Sequence, residues 1–412
     1  MKEFDVIVIG SGASGMIAAI EAKKRGNDVC ILERLSKVGK KILATGNGKC
    51  NLSNLSLKEN DYRSEVPTFP YNVLKSHTVK DTLQYFEQLG ILWFDKDGYV
   101  YPRSEQATSI VGALELKLQA LSIPVFCEQE VENISYKKGK FHIVCTTKEK
   151  FIASECILAT GGKAQEKLGS NGSGYELAKR FGHSIVPVIP ALTALHTTFS
   201  GIKSWGGIRA TCGVTVYSDG KKIAMEKGEV QFTNYGISGI PVFQISRYAT
   251  HSLYRKKKVE VELDFYPEGT KIELERVLHS LCNQCSYKNI RELLEGIFSK
   301  KLVPIFLQQS KIKDTLRCKE IKKHHIQAIV EIVKQLRIVI CNSNDFSQAQ
   351  ICAGGVSVAE INHKTMESKL QKGLYLVGEL VDVDGTCGGY NLQWAWTSGY
   401  VAGNSVKGKE KE

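Results

Sequence analysis

Asp5-Val6-Ile7-Val8-Ile9-Gly10-Ser11-Gly12-Ala13-Ser14-Gly15 is the stretch that decides the fold. It opens with a β-branched run, the pattern of a strand buried on both faces. The glycines that follow have G-x-G-x-x-G spacing, and residues 16–25 are Ala-rich and helical. Gly26 closes that helix, and residues 28–33 form a second apolar strand. Strand, glycine turn, helix and strand in this order make a βαβ opening. Gly10 permits the tight turn, Gly12 lets the backbone approach a pyrophosphate, and Gly15 lets helix and strand pack closely. The helix N-terminus, with Ala13 and Ser14 in its first turn, offers unpaired N–H groups and a partial positive charge to phosphates. Glu33 ends the second strand where an acid accepts ribose hydroxyls and repels a 2′-phosphate. That combination favours FAD or NAD over NADP.

The other end of the chain chooses between them. Leu374-Tyr375-Leu376-Val377-Gly378-Glu379 reads as a late strand ending in glycine and an acid, which suits a ribityl chain. Gly388-Gly389-Tyr390-Asn391-Leu392-Gln393 then leads into a helix expected over 394–402. A helix N-terminus there would face a flavin pyrimidine and stabilise negative charge on the reduced ring. A simple dehydrogenase needs neither element, so the expected cofactor is FAD.

With 412 residues the chain is too long for one ordinary core. Hydrophobic residues make up 42% and charged residues 24%, which is ordinary globular composition. The net charge is +12, and a basic surface attracts nucleic acid, anionic membrane or anionic substrates unless it is only a solvated Lys-rich face. The 12 cysteines are irregularly spaced, and no secretory or membrane-spanning run precedes them. They read as reduced thiols in a cytoplasm. Cys282 and Cys285 have redox-motif spacing but no βαβ context, so a structural role is expected.

Along the chain, helices are expected over 80–90 and 109–120 and strands over 141–146 and 151–159. A glycine loop at 169–174 precedes a short helix. Short alternating segments at 211–217, 229–232 and 259–265 suggest a small antiparallel sheet or barrel. Helical periodicity with a positive bias follows from 270 to about 340, and glycine-rich flavin-domain character returns after Gln350. The expected architecture is α/β: a discontinuous Rossmann-type FAD-binding domain (1–190 and 346–412) with an inserted β-rich substrate domain (191–269) and a helical subdomain (270–345). Residues 407–412 read as a frayed charged tail. The insert is expected to set substrate preference; 237–245, with Tyr235 just before it, reads either as an apolar wall of the pocket or, equally, as core of the insert.

Several motifs spread over nearly the whole chain carry a family resemblance. They are Thr45-Gly46-Asn47-Gly48-Lys49-Cys50-Asn51-Leu52-Ser53-Asn54, Tyr101-Pro102, Ala159-Thr160-Gly161-Gly162, the loop 169–175, Gly236-Ile237-Ser238-Gly239, Thr365-Met366-Glu367-Ser368, and 378–391. The chain resembles the BaiN-like, aminoacetone-oxidase-type family of FAD-binding proteins. The resemblance implies FAD held by both ends of the chain. It also implies either reduction of double bonds conjugated to a carbonyl, as in 3-oxo bile acids, or oxidation of small amino ketones. Lys49 stands where many relatives have Arg, which keeps the charge and loses the planar fork.

The candidate cofactor set is therefore Gly10, Gly12, Ala13, Ser14, Gly15, Glu33, Lys41, Gly46, Asn47, Lys49, Asn51, Thr160, Gly161, Gly378, Glu379, Gly389, Tyr390, Asn391 and Leu392. Ene reduction also needs a proton donor and a group that polarises the carbonyl. Tyr390 and Tyr235 are the phenols to test. Cys50 reads as a packed thiol and His196 as a structural histidine. No metal site is expected, since His324 and His325 are neighbours and should point apart on a helix. No second dinucleotide fold is evident, so NAD(P)H is expected only as a transient electron donor. The leading expectation is reduction of a conjugated C=C bond in a hydrophobic, steroid-like small molecule. The alternatives are an amine oxidase using O2 and an RNA-binding flavoprotein. Residues 311–340 contain no Phe, Tyr or Trp, which argues against RNA, and neither nucleic acid nor membrane is expected as a partner.

Overall fold

A computed structural model of the chain describes residues 1–408. Of the expected charged tail, 409–412 lie outside the described residues. Lys407 is not frayed, because its N–H donates to Glu155 Oε2 at 2.8 Å. The chain divides into two compact units, one formed by Met1–Val188 and the chain from Phe346 on, the other by Ile189–Asp345.

The first unit is built on the strand Lys2–Ile9, which pairs in parallel with Val29–Leu32 on one side and Lys150–Leu158 on the other. Its residues Val6, Ile7 and Val8 have no exposed surface, as an uninterrupted apolar strand between parallel neighbours should. The start of Lys150–Leu158 pairs antiparallel with Lys140–Cys145, and its end pairs in parallel with Leu374–Leu376. The C-terminal segment thus joins the sheet beside the strand that leads into Thr160-Gly161. Both glycine loops leave the carboxyl ends of adjacent parallel strands, where open α/β sheets bind ligands.

The helix Ala13–Lys24 carries no apolar stripe of its own; residues 14–22 are all buried. It is covered by the last helix, Tyr390–Ser405. A Cβ at Gly399 would overlap the Ser14 carbonyl, and one at Gly403 would overlap that of Ala18.

The second unit is a closed six-stranded barrel ordered Leu195–Thr197, Gly236–Ser238, Lys221–Phe232, Arg209–Ser218, Val259–Asp264 and Leu336–Ser343. Trp205, Phe232, Phe265 and Phe306 pack together in its core.

The structure departs from the sequence reading in several places. Strand Leu336–Ser343 falls in the range expected to be helical, yet it closes the barrel. Leu336, Ile338 and Ile340 face inward and alternate with exposed Arg337, Val339 and Cys341. Conversely, Ile240–Tyr254 is a helix inside the range expected to be β-rich, with buried Val242, Ile245 and Ala249 at helical spacing. The supposed apolar wall at 237–245 is mostly core of this unit; Ile237, Val242 and Ile245 are fully buried, and Ile240 is exposed. The last helix begins at Tyr390, not Trp394, because Gly389 is left-handed and caps it. The late strand is only Leu374–Leu376, since Gly378 at φ +69° turns the chain into a 3-10 segment. The rings of His324 and His325 do not point apart; their centroids are 4.1 Å apart, because His325 Nδ1 turns back to accept the Lys322 N–H. Cys282 is buried in the second unit's core, where desolvation pushes its thiol up to about 12.

In the first unit the imidazole of His77 stacks on Tyr400 at 3.8 Å and is buried, which lowers its pKa from 6.5 to about 4. The unfolded chain therefore binds a proton that the folded chain refuses between about pH 6.5 and 4, and stability is lost as pH falls through that window. His77→Phe keeps the stacked ring and removes the titration. Its melting temperature should fall less steeply over this pH range than that of the parent. Identical acid limbs in calorimetry would exclude His77 as a cause.

Candidate active site

The glycine turn has the geometry of a dinucleotide cradle. Gly10 has φ +103°, and a Cβ there would overlap the Ala159 carbonyl. One at Gly15 would overlap the Gly10 carbonyl. Gly12 is different: a Cβ there would meet nothing within 4 Å. Packing does not require that glycine, so the open space in front of it is what a pyrophosphate would fill. No side chain caps the helix Ala13–Lys24, and its first turn holds no acid, so its N–H groups face that space. Glu33 is buried and accepts from the Ser11 N–H at 2.8 Å, from the Ser11 hydroxyl, and from the Leu35 N–H at 2.8 Å. It holds the turn as well as standing where the ribose would lie. These residues fit the adenosine half of FAD.

Three more segments converge on the same end of the sheet. Gly378 abuts Ser14, where a Cβ would come 2.5 Å from the Ser14 hydroxyl. Thr160-Gly161 follows Ala159, which packs on Gly10. Beyond it, Lys41 Nζ pairs with Glu379 Oε2 at 2.7 Å and donates to the Ala164 carbonyl at 3.2 Å. The other Glu379 oxygen accepts the Cys352 N–H at 2.8 Å. The structure thus joins two candidate residues 338 positions apart into one ion pair. The hydroxyl of Tyr175 is buried beside Gly162, Glu379 and the Cys352 thiol.

The loop 45–54 is only partly part of this cluster. Asn51 is buried; with its amide nitrogen turned to the carbonyls it donates to Ser53 at 3.0 Å and Val100 at 3.2 Å. It lies against Gly389. Asn54 Nδ2 donates to the Gly388 carbonyl at 3.0 Å. Gly46 and Asn47 are exposed with left-handed backbones. Lys49 points outward and pairs with exposed Glu105, so its charge is used at the surface. Cys50 is fully buried and its thiol is pushed up to about 12 by desolvation, which fits a packed thiol. Asn391 clasps its own loop, accepting the Gly385 N–H at 2.8 Å and donating to the Gly385 and Thr386 carbonyls. Leu392 packs on the core.

Tyr390 is buried at the start of the last helix, edge-on to Tyr62, whose hydroxyl donates to the Tyr390 carbonyl at 2.8 Å. Burial, helped by Asp61 and Tyr99, pushes its phenol up to about 12, so it holds its proton at neutral pH. Tyr235 belongs to the other unit, where it is exposed and its ring lies 4.6 Å from that of His196. His196 Nε2 is 2.6 Å from Asn344 Oδ1, a structural contact.

A buried polar network escaped the sequence reading. Ser53 donates to Gln393 Oε1 at 2.7 Å; Gln393 Nε2 donates to Thr82 at 2.7 Å and Thr397 at 3.0 Å; Thr397 donates to the His77 carbonyl at 2.8 Å. Ser53, Gln393 and Thr397 have no exposed surface. Every hydrogen-bonding group of the Gln393 amide is used, so the network fixes the first turn of the last helix against the loop 51–54. A glutamine one turn into a helix gives no pattern by which this could be read.

The model of the HI0933-like protein Rossmann domain matches residues 4–405. The chain belongs to this HI0933-like family. It is an FAD-dependent oxidoreductase. It is 42% identical over 401 residues to a 3-dehydro-bile acid delta(4,6)-reductase of Clostridium scindens, covering 97% of this chain and 98% of that one. It is 29% identical over 415 residues to a ribosomal RNA dihydrouridine synthase of Haemophilus influenzae, covering 97% and 98%. Among solved structures, the 3-ketosteroid delta1-dehydrogenase of Sterolibacterium denitrificans aligns over 98% of this chain and 99% of its own, with 12% identity and a TM-score of 0.49. No helix among the described residues is long and apolar enough to cross a membrane.

The two glycines separate cofactor binding from folding. Gly12→Val should leave a folded protein without flavin, because a Cβ there meets no protein atom within 4 Å and the side chain starts into the space proposed for the pyrophosphate. Gly15→Ala should destabilise the protein itself, because its Cβ meets backbone. Flavin absorbance and melting temperature measured on both variants check this. Normal flavin content in Gly12→Val would separate the turn from the cofactor.

Proposed function

We propose that the protein reduces a C=C bond conjugated to a carbonyl, and that its substrate is a hydrophobic, 3-oxo-steroid-like small molecule. The observation that supports this best is full-length likeness to a reductase whose name describes an unsaturated 3-oxo bile acid. The dihydrouridine synthase shares the chemistry: by its name it yields uridine with the C5–C6 double bond, next to the C4 carbonyl, reduced. In this proposal a hydride adds at the far end of a C=C bond conjugated to a carbonyl and a proton adds at the carbon that takes up the resulting negative charge.

FAD, when bound and reduced by an electron donor, would supply the hydride, as the cofactor does in this class of enzyme. The protein's own residues bind, orient and move protons. In this proposal the first turn of Ala13–Lys24 would hold the pyrophosphate, Glu33 the ribose, and Glu379, held by Lys41, the ribityl chain. Gly388, Gly389 and the N-terminus of Tyr390–Ser405, placed by Gln393, would hold the pyrimidine. Tyr390 keeps its proton at neutral pH and is the donor to the α carbon or the carbonyl oxygen. Unit Ile189–Asp345 sets substrate preference, and NAD(P)H is the transient electron source.

A second reading takes the C=C bond from a uracil base in RNA. The named relative and the basic charge of the chain favour it.

Reduced protein mixed anaerobically with a 3-oxo-4-ene steroid should have its flavin reoxidised, with the product carrying a saturated bond. Reoxidation by O2 alone, with peroxide formed from amino ketones, would replace this proposal with the oxidase. Tyr390→Phe should lower turnover by roughly 10²–10⁴-fold with unchanged FAD content, the usual range for a lost proton donor. Unchanged turnover would remove Tyr390 from the mechanism.

A further inference from the structure

The positive charge of the chain is concentrated in one unit. Residues 189–345 hold 24 Lys and Arg against 15 Asp and Glu, a net +9 of the chain's +12. At one end of the barrel, two neighbouring segments bring six of these cations together. The hairpin joining Arg209–Ser218 to Lys221–Phe232 places Lys221 and Lys222 at its turn, with Ser218 opposite Lys221. On the other side Ser218 pairs with Val259, so the run Arg255-Lys256-Lys257-Lys258 lies beside that turn. Backbone bonds tie the two segments: the Asp219 N–H donates to the Lys258 carbonyl at 2.9 Å, and the Lys258 N–H donates to Asp219 Oδ1 at 3.0 Å. All six cations are exposed.

Two carboxylates pair with this rim. Asp219 lies 3.7 Å from Lys257 Nζ, and Glu260 lies 3.1 Å from Lys258 Nζ. Like charges at successive positions repel and add nothing to the stability of the barrel. Tyr254 sits directly before the cationic run and is 60% exposed; Met225, on the hairpin, is 60% exposed as well. Cations that track a phosphate backbone, with an exposed ring on which a base can stack, are the elements of single-stranded nucleic-acid binding. The aromatic-free stretch 311–340 that argued against RNA does not include Tyr254, and its last residue, Ile340, pairs with Val259 beside the cationic run.

We propose that this barrel rim, Lys221, Lys222 and Tyr254 to Lys258, binds single-stranded RNA through its phosphates and stacks a base on Tyr254. The proposal rests on the second reading above, in which a base in RNA is the acceptor.

The test is fluorescence anisotropy of the FAD-loaded protein with a labelled single-stranded RNA over a series of salt concentrations. Binding should weaken steeply with salt. Neutralising Lys221, Lys222, Lys256 and Lys257 to Gln should make the log–log salt slope shallower by roughly 3, at about 0.7 for each lost phosphate contact. Tyr254→Ala should weaken binding by roughly 5- to 150-fold with the slope unchanged. A control variant with Lys311, Lys313 and Lys319 changed to Gln should bind like the parent. Equal losses in the control would mean general charge attraction and overturn the assignment. So would absence of RNA binding, or binding to phosphatidylserine vesicles without RNA. Anaerobic flavin reoxidation by an enone should be the same in the rim variants. If RNA binds at the rim while neither enone nor uracil reoxidises the flavin, the surface stands and the reductase reading falls.

Discussion

Helix Tyr390–Ser405 meets helix Ala13–Lys24 with no side chain between their backbones at two points. Gly399 lies against the Ser14 carbonyl and Gly403 against that of Ala18, and any Cβ at either glycine would collide. A helix that close draws the C-terminal segment onto the opening turn of the chain. Gly378 then abuts Ser14, Trp394 Nε1 donates to the Gly378 carbonyl at 3.0 Å, and the Gly378 N–H donates to Ser398 at 3.0 Å. The two halves that resemble one flavin site are a single object because these glycines allow backbone contact. Side chains of any size there would push the last helix outward and separate Glu379 and Gly389 from the glycine turn.

Once the helices are in contact, polar groups of the core must be satisfied. The Ser53–Gln393–Thr82–Thr397 network does this, and Trp396 Nε1 adds a bond to the Leu52 carbonyl at 3.0 Å. An unpaired amide at this depth would cost about 1–3 kcal/mol, so the helix has one favourable position relative to the loop 51–54. The glycine turn and the first turn of the last helix are thus each fixed by backbone contact or buried hydrogen bonds. Fixed placement suits an enzyme whose cofactor performs the chemistry and whose protein supplies orientation and electric field.

The inserted unit obeys different rules. Its barrel closes on its own strands and buries its own aromatic core, so its surface is free of the constraints that shape the flavin unit. It carries most of the net charge of the chain. The relatives' names describe acceptors as unlike as a bile acid and a base in ribosomal RNA, and function resides in sites carried on a fold.

The opening strand, the glycine turn and Glu33 were legible in the sequence because their roles are local. Backbone conformation, burial on both faces and strand-to-helix order are fixed by residues within one βαβ unit. FAD and the family followed from motifs whose residue types the cofactor dictates. Local pattern misled where two folds share it. Residues 336–343 follow a helical, basic stretch and share its local pattern, and only barrel closure makes them a strand. Residues 237–245 were apolar enough for a pocket wall, and the barrel core claimed them. The fate of each charged residue also waited for the tertiary structure, since partners hundreds of positions away decide it. Lys41 found Glu379, whereas Lys49, in a motif of equal promise, turned outward to Glu105. Periodicity and motif spacing reach across a few turns of chain, and a buried hydrogen bond depends on which segments the packed backbone brings within 3 Å.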